Sequence, residues 1–387
     1  MKKRFIVLAF SLIFVLSAPS ILSACSGNPT VKFRDPNFEA AVREAVSKPT
    51  GDITRDEVEN ITALNIAGLN IFDLSGIENF TALMSLDCRF NQLVALDLSH
   101  CVALTELNCS YNQLTKLDLS KNIALTAIDC SKNYLAMLKV NNASLITIRC
   151  YDNQLSMLDV SHCTALVTLD CEYNPMTSLD VSKNVALTEL DCGGNNLKTL
   201  DVSANLALTK LSCGFNPLGA LDVGQNTQLV SLSCGNNNLD ALDVSKNTKL
   251  VSLNCNWNRL TVLDISKNTE LTSLDCSWNE LTSFDVRQNT ELVSLLCYNN
   301  QLPAIDVSLN TKLKDLRCGD NRLTALDVTK NIELEWLGCR KNQLTTLDVS
   351  QNAGLAVLDC SENRMPDQSA IFGLDESKTW VVFDPQN

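Results

Sequence analysis

Residues 107–122 read LNCSYNQLTKLDLSKN, and near-copies of this stretch recur along most of the chain. Each copy places one cysteine in the same slot, at positions 88, 109, 130, 150, 171, 192, 213, 234, 255, 276, 297, 318, 339 and 360. The cysteines follow a 21-residue period, except that the step from Cys130 to Cys150 is one residue shorter. A fixed period of this length predicts a stacked-repeat protein, in which each repeat buries its apolar side against its neighbours.

Apolar and polar residues alternate around each cysteine. Leu107 and Cys109 alternate with Glu106, Asn108 and Ser110, so the leucine and the cysteine point to one side of a strand and the polar residues to the other. Repetition at this fixed period predicts that these strands form one parallel sheet, ~4.8 Å apart. The second half of the copy, LTKLDLSKN, repeats the pattern and predicts a return face of short extended segments or tight turns.

The consensus L-x-x-L-x-C-x-x-N-x-L-x-x-L-D-V-S-x-N resembles the leucine-rich repeat, with cysteine in the third apolar slot. The resemblance covers about residues 61–365. It implies a right-handed β-rich solenoid of about 15 repeats, with a parallel sheet on one face. Residues 31–80 are similar to the helical cap and first repeat of internalin-like proteins, and the 22-residue step from Ile66 to Cys88 has the internalin spacing.

An open stack of repeats leaves apolar edges that must be covered. Residues 33–60 are expected to form an N-terminal helical cap, in which Asp35 is the N-cap and Pro36 the first helical residue. Residues 366–387 are expected to cap the other end, and TWVVF at 379–383 predicts a closing strand.

The first residues predict export. Residues 1–24 combine a basic start with an apolar stretch too short to be a comfortable membrane span, which is typical of a signal peptide. They end in Leu-Ser-Ala followed by Cys25, which resembles the bacterial lipobox, in which the cysteine is acylated and becomes the new N-terminus. The alternative is an ordinary secretory signal with Cys25 as a stray thiol. Residues 25–32 then form a lipidated tether at the cell envelope.

Composition excludes several function classes. The formal net charge of −13 argues against nucleic-acid binding, because phosphates require a basic surface. The whole chain has two histidines, and it contains no H-E-x-x-H, G-x-S-x-G or phosphate-loop motif. The sequence therefore predicts a protein that is not an enzyme and that has no cofactor.

The repeated cysteines are interpreted as small buried hydrophobes. In-register parallel side chains point alike, which disfavours disulfide bonds between neighbours, and no C-x-x-C or Cys/His cluster indicates a metal. Disulfide pairs and a column of soft-metal ligands remain the alternatives. Cys101 and Cys163 are different, because each replaces the second asparagine of its copy and is expected to fill that turn position.

Two further columns of identical residues are expected to be structural. Every copy has an asparagine three residues after the cysteine, from Asn91 to Asn363, whose amide can bond main-chain groups of the turn. An aspartate column, from Asp97 to Asp348, is interrupted by Lys139. Aspartate before a tight turn commonly accepts backbone N–H bonds, and this interpretation is preferred over a calcium column.

Variable, exposed positions are where a ligand would bind. The residues three before, one before, and one or two after each cysteine are expected on the exposed face of the sheet. Aromatic residues occupy many of these slots: Phe90, Tyr111, Tyr151, Tyr173, Phe215, Trp257, Trp278, Tyr298 and Trp336. The predicted ligand-binding residues are the densest group, two nearby arginines and two tyrosines farther toward the N-terminus: Trp257, Trp278, Tyr298, Trp336, Arg317, Arg340, Tyr173 and Tyr151.

Exposed aromatic rings are favoured at binding surfaces, although rings that pack along the rim and stiffen the turns would give the same pattern. We expect a monomeric, lipid-anchored surface protein that binds a protein of a host or neighbouring cell, as an adhesin does. A glycan-capturing lipoprotein is the second hypothesis, and a purely structural envelope spacer is the third.

Overall fold

The structure, a computed structural model, describes residues 28–386. Twenty short strands lie in chain order at β1 (Ala63–Asn65), β2 (Ser85–Asp87), β3 (Glu106–Asn108), β4 (Lys116–Asp118), β5 (Ala127–Asp129), β6 (Met137–Lys139), β7 (Thr147–Arg149), β8 (Thr168–Asp170), β9 (Glu189–Asp191), β10 (Lys210–Ser212), β11 (Ser231–Ser233), β12 (Ser252–Asn254), β13 (Ser273–Asp275), β14 (Ser294–Leu296), β15 (Asp315–Arg317), β16 (Trp336–Gly338), β17 (Leu347–Asp348), β18 (Val357–Asp359), β19 (Ile371–Phe372) and β20 (Trp380–Val382). Two α-helices, α1 (Pro36–Ala45) and α2 (Arg55–Val58), precede them, and 3₁₀ turns lie at Ile77–Asn79 and Gln368–Ala370.

Sixteen of these strands form one parallel sheet whose order follows the chain. Leu107 of β3 pairs with Ile128 of β5, in the same slot of the next repeat, whereas the step from Ala63 of β1 to its partner Ser85 of β2 is one residue longer. Each strand therefore belongs to one turn of a solenoid, and the predicted leucine-rich-repeat fold is confirmed. Within residues 28–386, the return side carries the short pairs β4–β6 and β17–β19 and a single bridge between Asp327 and Asp348, as expected for extended segments and turns.

The core is a continuous column of leucine, valine and cysteine that runs the length of the solenoid. Leu107 and Cys109 are buried, whereas Glu106 and Asn108 are partly exposed. Burial of each leucine contributes about 1.5–3 kcal/mol, which offsets ordering entropy only because a neighbouring turn covers each side.

The sixteen cysteines at positions 88–360 are buried and free, so the prediction that the repeated cysteines are core residues is confirmed. The backbone N–H of Cys109 donates to the carbonyl of Asp129, 2.8 Å away on the next turn, which continues the strand ladder past the cysteine. We call each turn of the solenoid a rung and identify it by its repeated cysteine, beginning with Cys88.

The asparagine three residues after each rung cysteine closes the turn, as predicted. The side-chain nitrogen of Asn112 donates to the carbonyls of Cys88 and Cys109, at 3.0 and 3.1 Å. Its side-chain oxygen accepts from the backbone N–H of Leu93 at 3.0 Å. One amide thus satisfies backbone hydrogen-bonding groups of two successive rungs. Each such group would cost about 1–3 kcal/mol if it were buried without a partner.

A second buried asparagine column closes the return side. Asn184 donates to the carbonyls of Val160 and Cys163, at 3.0 and 2.8 Å. Cys101 and Cys163 are buried in this column in place of asparagine, as expected, and the thiol of Cys101 donates to the carbonyl of Ile77 at 3.5 Å.

The aspartate column caps the return turns. Asp118 accepts from the backbone N–H of Ser120 at 2.9 Å, and Asp243 accepts from that of Ser245 at the same distance. Hydrogen bonding from the side chain and then from the backbone N–H of the same serine lowers the pKa of each carboxyl group. The turn-capping interpretation of this column is confirmed.

Both ends of the sheet carry the expected elements. Asp35 is the N-cap of α1 and accepts from the N–H groups of Asn37 and Phe38, and Phe38 is buried against the first turns. At the other end, β20 pairs in parallel with β18 and closes the sheet.

Candidate functional site

Each strand ends one residue before its rung cysteine, and the chain then turns sharply. The residue two after the cysteine has φ between 50° and 61° in all fourteen rungs. We call this column the ridge: Phe90, Tyr111, Lys132, Asp152, Tyr173, Gly194, Phe215, Asn236, Trp257, Trp278, Asn299, Asp320, Lys341 and Glu362. This left-handed conformation is easy for glycine and tolerable for asparagine, but it costs other residues backbone strain.

The ridge corrects the sequence prediction. Tyr173, Trp257 and Trp278 do not lie on the exposed face of the sheet but on the turn that follows it. The alternation of apolar and polar residues around the cysteine did not predict this turn, because the residue in the left-handed conformation interrupts the two-residue period of the strand. Trp336 and Arg317 do lie in strands, β16 and β15. We call the solvent-facing side of the sheet the strand face.

Trp257 and Trp278 form a stacked pair on adjacent rungs. Their ring centroids are 4.0 Å apart and their planes differ by 9°. The side chains remain 50% and 37% exposed, respectively. Two rigid rings are therefore held in a fixed orientation at the surface, where a partner can bury them at little cost in side-chain entropy.

Trp336 is paired with an arginine on the neighbouring strand. The guanidinium of Arg317 lies 4.5 Å from the ring centroid, and its Nε is 2.9 Å from the carboxylate of Asp315. Both interactions fix the arginine over the ring. Arg340 instead points toward carboxylates of the ridge, with Nε 3.7 Å from Asp320 and a terminal nitrogen 3.0 Å from Glu362.

Of the other three predicted residues, Tyr298 adjoins the tryptophan pair, and Tyr173 and Tyr151 lie farther toward the N-terminus. Tyr298 follows β14, and its carbonyl accepts from the N–H of Trp278 at 3.0 Å. Tyr173 lies four rungs before Trp257, and a Cβ atom placed on Gly194 would collide with its ring, which therefore lies over that glycine. Tyr151 is half-buried one rung earlier.

Sequence reasoning left one aromatic pair out of the site. Phe90 and Tyr111 stack with centroids 4.3 Å apart and planes inclined by 26°. Both occupy the same slot of the repeat as Trp257 and Trp278, which was the available signal. Aromatic residues are denser around the C-terminal tryptophans in the sequence, so the predicted site was centred there.

An acidic patch lies on the strand face, on the N-terminal side of the tryptophan pair. Asp170, Glu189 and Asp191 line a shallow depression of about 180 Å³ together with Arg149 and Lys210. Burial, followed by the charge of Asp191, raises the pKa of Asp170 to about 6.

The rung thiols are poor nucleophiles at neutral pH. Burial raises the pKa of Cys213 and of Cys318 to about 12, so the nucleophilic thiolate is scarce at neutral pH.

Among residues 28–386, no group of three or more histidine, cysteine, aspartate or glutamate side chains is placed to hold a metal ion. No helix in the same range is long and apolar enough to cross a membrane, and Cys25 lies outside the described residues.

Comparisons with known proteins agree with this architecture. No protein-family model matches the chain. A 68-residue segment, 17% of the chain, is 37% identical to internalin J of Listeria monocytogenes, and it spans only 7% of that protein's length.

Solved structures extend the similarity. The functional domain of internalin J from Listeria monocytogenes, described as including a cysteine ladder, superposes with a TM-score of 0.83 at 37% identity, covering 87% of this chain and 76% of that domain. The internalin InlF of the same species gives 0.72 at 22% identity, covering 78% and 94% of the two chains, and a leucine-rich-repeat protein of Leptospira interrogans gives 0.74 at 22%, covering 84% and 91%. Because it is 37% identical to the internalin J domain over 76% of that domain, and because that domain includes a cysteine ladder, this chain belongs to the internalin-like leucine-rich-repeat family.

Proposed function

We propose that this protein is a surface-displayed binding module that recognises a protein of a host or neighbouring cell, as an adhesin does. The observation that carries the proposal is the stacked pair of Trp257 and Trp278. A tryptophan in the left-handed conformation of the ridge incurs backbone strain, whereas Gly194, Asn236 and Asn299 occupy the same slot without it. Because packing does not require two exposed indoles in a left-handed turn, a partner that buries them gives the simplest reason for their presence.

The strand face beside the pair supports a polypeptide partner. Trp336 and Arg317 lie at most four rungs from the tryptophan pair, and tryptophan and arginine are the residues most enriched at the energetic centres of protein interfaces. Asp315 holds Arg317 in place, so little side-chain entropy is lost on binding. Internalin-like repeats are in general protein-binding scaffolds, which also supports a polypeptide partner.

We further propose that acylation of Cys25 anchors the protein to the bacterial envelope. The basic start, apolar stretch and lipobox-like Leu-Ser-Ala-Cys support this proposal. Two or more acyl chains, such as palmitate, would hold the protein on a membrane stably, which a single chain would not. Residues 25–32 would then act as the tether, and the helical cap would begin near residue 33.

A glycan is the second candidate ligand for the tryptophan pair. Apart from Lys210, the two rungs just before the pair present small, uncharged residues on the strand face, namely Ser212, Ser231 and Ser233, and the buried Gly214 and Gly235 follow their cysteines. A sugar chain could lie along this strip and stack on Trp257, because indole faces are favourable for sugar rings.

A binding array of purified host-cell proteins, glycoproteins and free glycans tests these proposals. The probes are the lipid-free chain and a Trp257→Asn/Trp278→Asn variant, in which asparagine tolerates the left-handed turn. We expect the parent chain to bind at least one protein on the array and the variant to lose that binding at an unchanged melting temperature. A Trp380→Asn control, which removes an exposed tryptophan outside the ridge, should bind as the parent does. Equal binding by the variant would overturn the protein-binding proposal. A signal on free glycans alone that the Trp257→Asn/Trp278→Asn variant loses would favour the second candidate.

A further inference from the structure

A second aromatic cluster lies on the first four rungs, far from the tryptophan pair. Phe90 and Tyr111 stack on the ridge, and Tyr134 and Tyr151 lie on the two following rungs. The first three of these side chains are 54%, 40% and 54% exposed. Seven rungs, or ~34 Å, separate Tyr111 from Trp257, so the two aromatic groups cannot belong to one compact site.

The cluster is electrically neutral. The ammonium of Lys132 lies 5.6 Å from the ring centroids of both Tyr111 and Tyr151, and it forms an ion pair with Asp152 at 2.9 Å. Among the ridge positions of these four rungs, Lys132 is the one cation and Asp152 the one anion, so their charges cancel.

The neighbouring strand face differs sharply from the cluster. Across the same four rungs its charged strand residues include Glu106, Asp129 and Arg149. Arg89, which follows β2, is paired with the buried carboxylate of Asp87. A ligand that follows the ridge therefore meets rings and no net charge, whereas one that lies on the strand face meets charges of both signs. The two surfaces suit different ligands.

Exposed amides run parallel to the rings. The residue four after the cysteine is glutamine in three of these rungs, Gln92, Gln113 and Gln154, and all three are exposed. They are separated from the ridge only by the buried asparagine column. Amides donate and accept hydrogen bonds without charge, so this surface combines flat apolar rings with neutral hydrogen-bonding groups.

We propose that the turn surface of the first four rungs, formed by Phe90, Tyr111, Tyr134, Tyr151 and the three glutamines, binds an uncharged oligosaccharide that lies along the solenoid axis. Sugar rings have apolar faces that stack on aromatic side chains and hydroxyl groups that pair with amides. A charged polypeptide would meet only the mutually paired charges of Lys132 and Asp152 there. The rungs repeat every ~4.8 Å, so a chain of several sugar rings would contact all four.

Isothermal titration calorimetry of the lipid-free chain with β-1,4-linked hexasaccharides of glucose and of N-acetylglucosamine, and with a mannose hexasaccharide, tests the proposal. We expect at least one hexasaccharide to bind with an affinity that is independent of salt concentration. A Phe90→Asn/Tyr111→Asn variant should weaken that binding by about tenfold or more, because asparagine removes the rings and keeps the left-handed turn.

Two further variants make the result decisive. Gln113→Ala/Gln154→Ala, which leaves the ridge backbone unchanged, should also weaken binding, whereas Trp257→Asn/Trp278→Asn should leave it unchanged. The proposal is overturned if none of the three sugars binds, or if the Phe90/Tyr111 variant keeps full affinity at an unchanged melting temperature. Loss of binding in the tryptophan variant alone would assign the sugar to the tryptophan pair and would also overturn it.

Discussion

The side-chain oxygen of Asn258 accepts hydrogen bonds from the backbone N–H groups of Asn237 and Leu239, at 3.1 and 2.9 Å, on the preceding rung. Its side-chain nitrogen donates to the carbonyls of Cys234 and Cys255, at 3.1 and 2.9 Å. One amide therefore joins two rungs through four backbone groups.

Substitution Asn258→Ala should lower the free energy of unfolding by roughly 2–4 kcal/mol, because several buried backbone groups lose their partner at once. Urea titration followed by circular dichroism measures the loss. The exposed Asn196→Ala variant is the matched control and should stay within about 0.5 kcal/mol of the parent. Equal stability of the two variants would show that water replaces the amide.

Alkaline pH should unfold the protein. Burial raises the pKa of the rung thiols above the value near 9 of an exposed cysteine, to about 12 for Cys213 and Cys318. The unfolded chain then releases protons at a lower pH than the folded chain, so the thiols' contribution to stability is complete below about pH 9 and is lost as pH rises toward 12.

Chemical unfolding at increasing pH measures this effect, and iodoacetamide labelling reports the thiols directly. Labelling of native protein should be slow at neutral pH and complete after denaturation. Rapid native labelling, or a denatured protein with few reactive thiols, would contradict the buried and unpaired state.

Asp170 should make the protein slightly less stable at neutral pH than at mildly acidic pH. Its folded pKa, about 6, is above that of an exposed aspartate because of burial and the charge of Asp191. Its contribution is therefore full below about pH 4 and lost as pH rises through 6. Asp170→Asn should raise the melting temperature near pH 7.5 more than near pH 5, and an equal effect at both values would refute the shift.

Two exposed apolar residues should respond oppositely to glycine. Phe215 is 63% exposed on the ridge with φ of 57°, whereas Val262 is 65% exposed and has an ordinary backbone. Phe215→Gly relieves strain and should leave stability unchanged or raise it by up to about 1 kcal/mol. Val262→Gly should lower it by about 0.5–1 kcal/mol. Thermal melts of both variants distinguish the left-handed ridge from an ordinary turn.

Asp35 should hold the N-terminal cap onto the solenoid. One carboxylate oxygen accepts from Asn37 and Phe38 in α1, and the other accepts from the N–H of Phe72 at 2.6 Å. Asp35→Ala should cost about 2–4 kcal/mol, because it removes both the helix cap and the link to the first rung. Limited proteolysis should then cleave near residues 45–55, whereas the exposed Asp52→Ala variant should resist as the parent does.

The sequence by itself determined the period, the parallel register, the buried cysteine column, the turn-closing asparagines and the helix cap at Asp35. Each of these follows from local alternation repeated at a fixed spacing, so one rung predicts the others. The same regularity explains why the aspartate column could be assigned to turns rather than to a metal.

Only the tertiary structure decided which exposed side chains meet. The stacking of Trp257 on Trp278, the placement of Arg317 over Trp336 and the pairing of Phe90 with Tyr111 each depend on side chains from different rungs. The left-handed ridge was also invisible in the sequence, because aromatic residues occupy a conformation that normally indicates glycine or asparagine. The asparagine ladder on the next residue imposes that turn, and it does so through contacts between rungs that a single repeat does not contain.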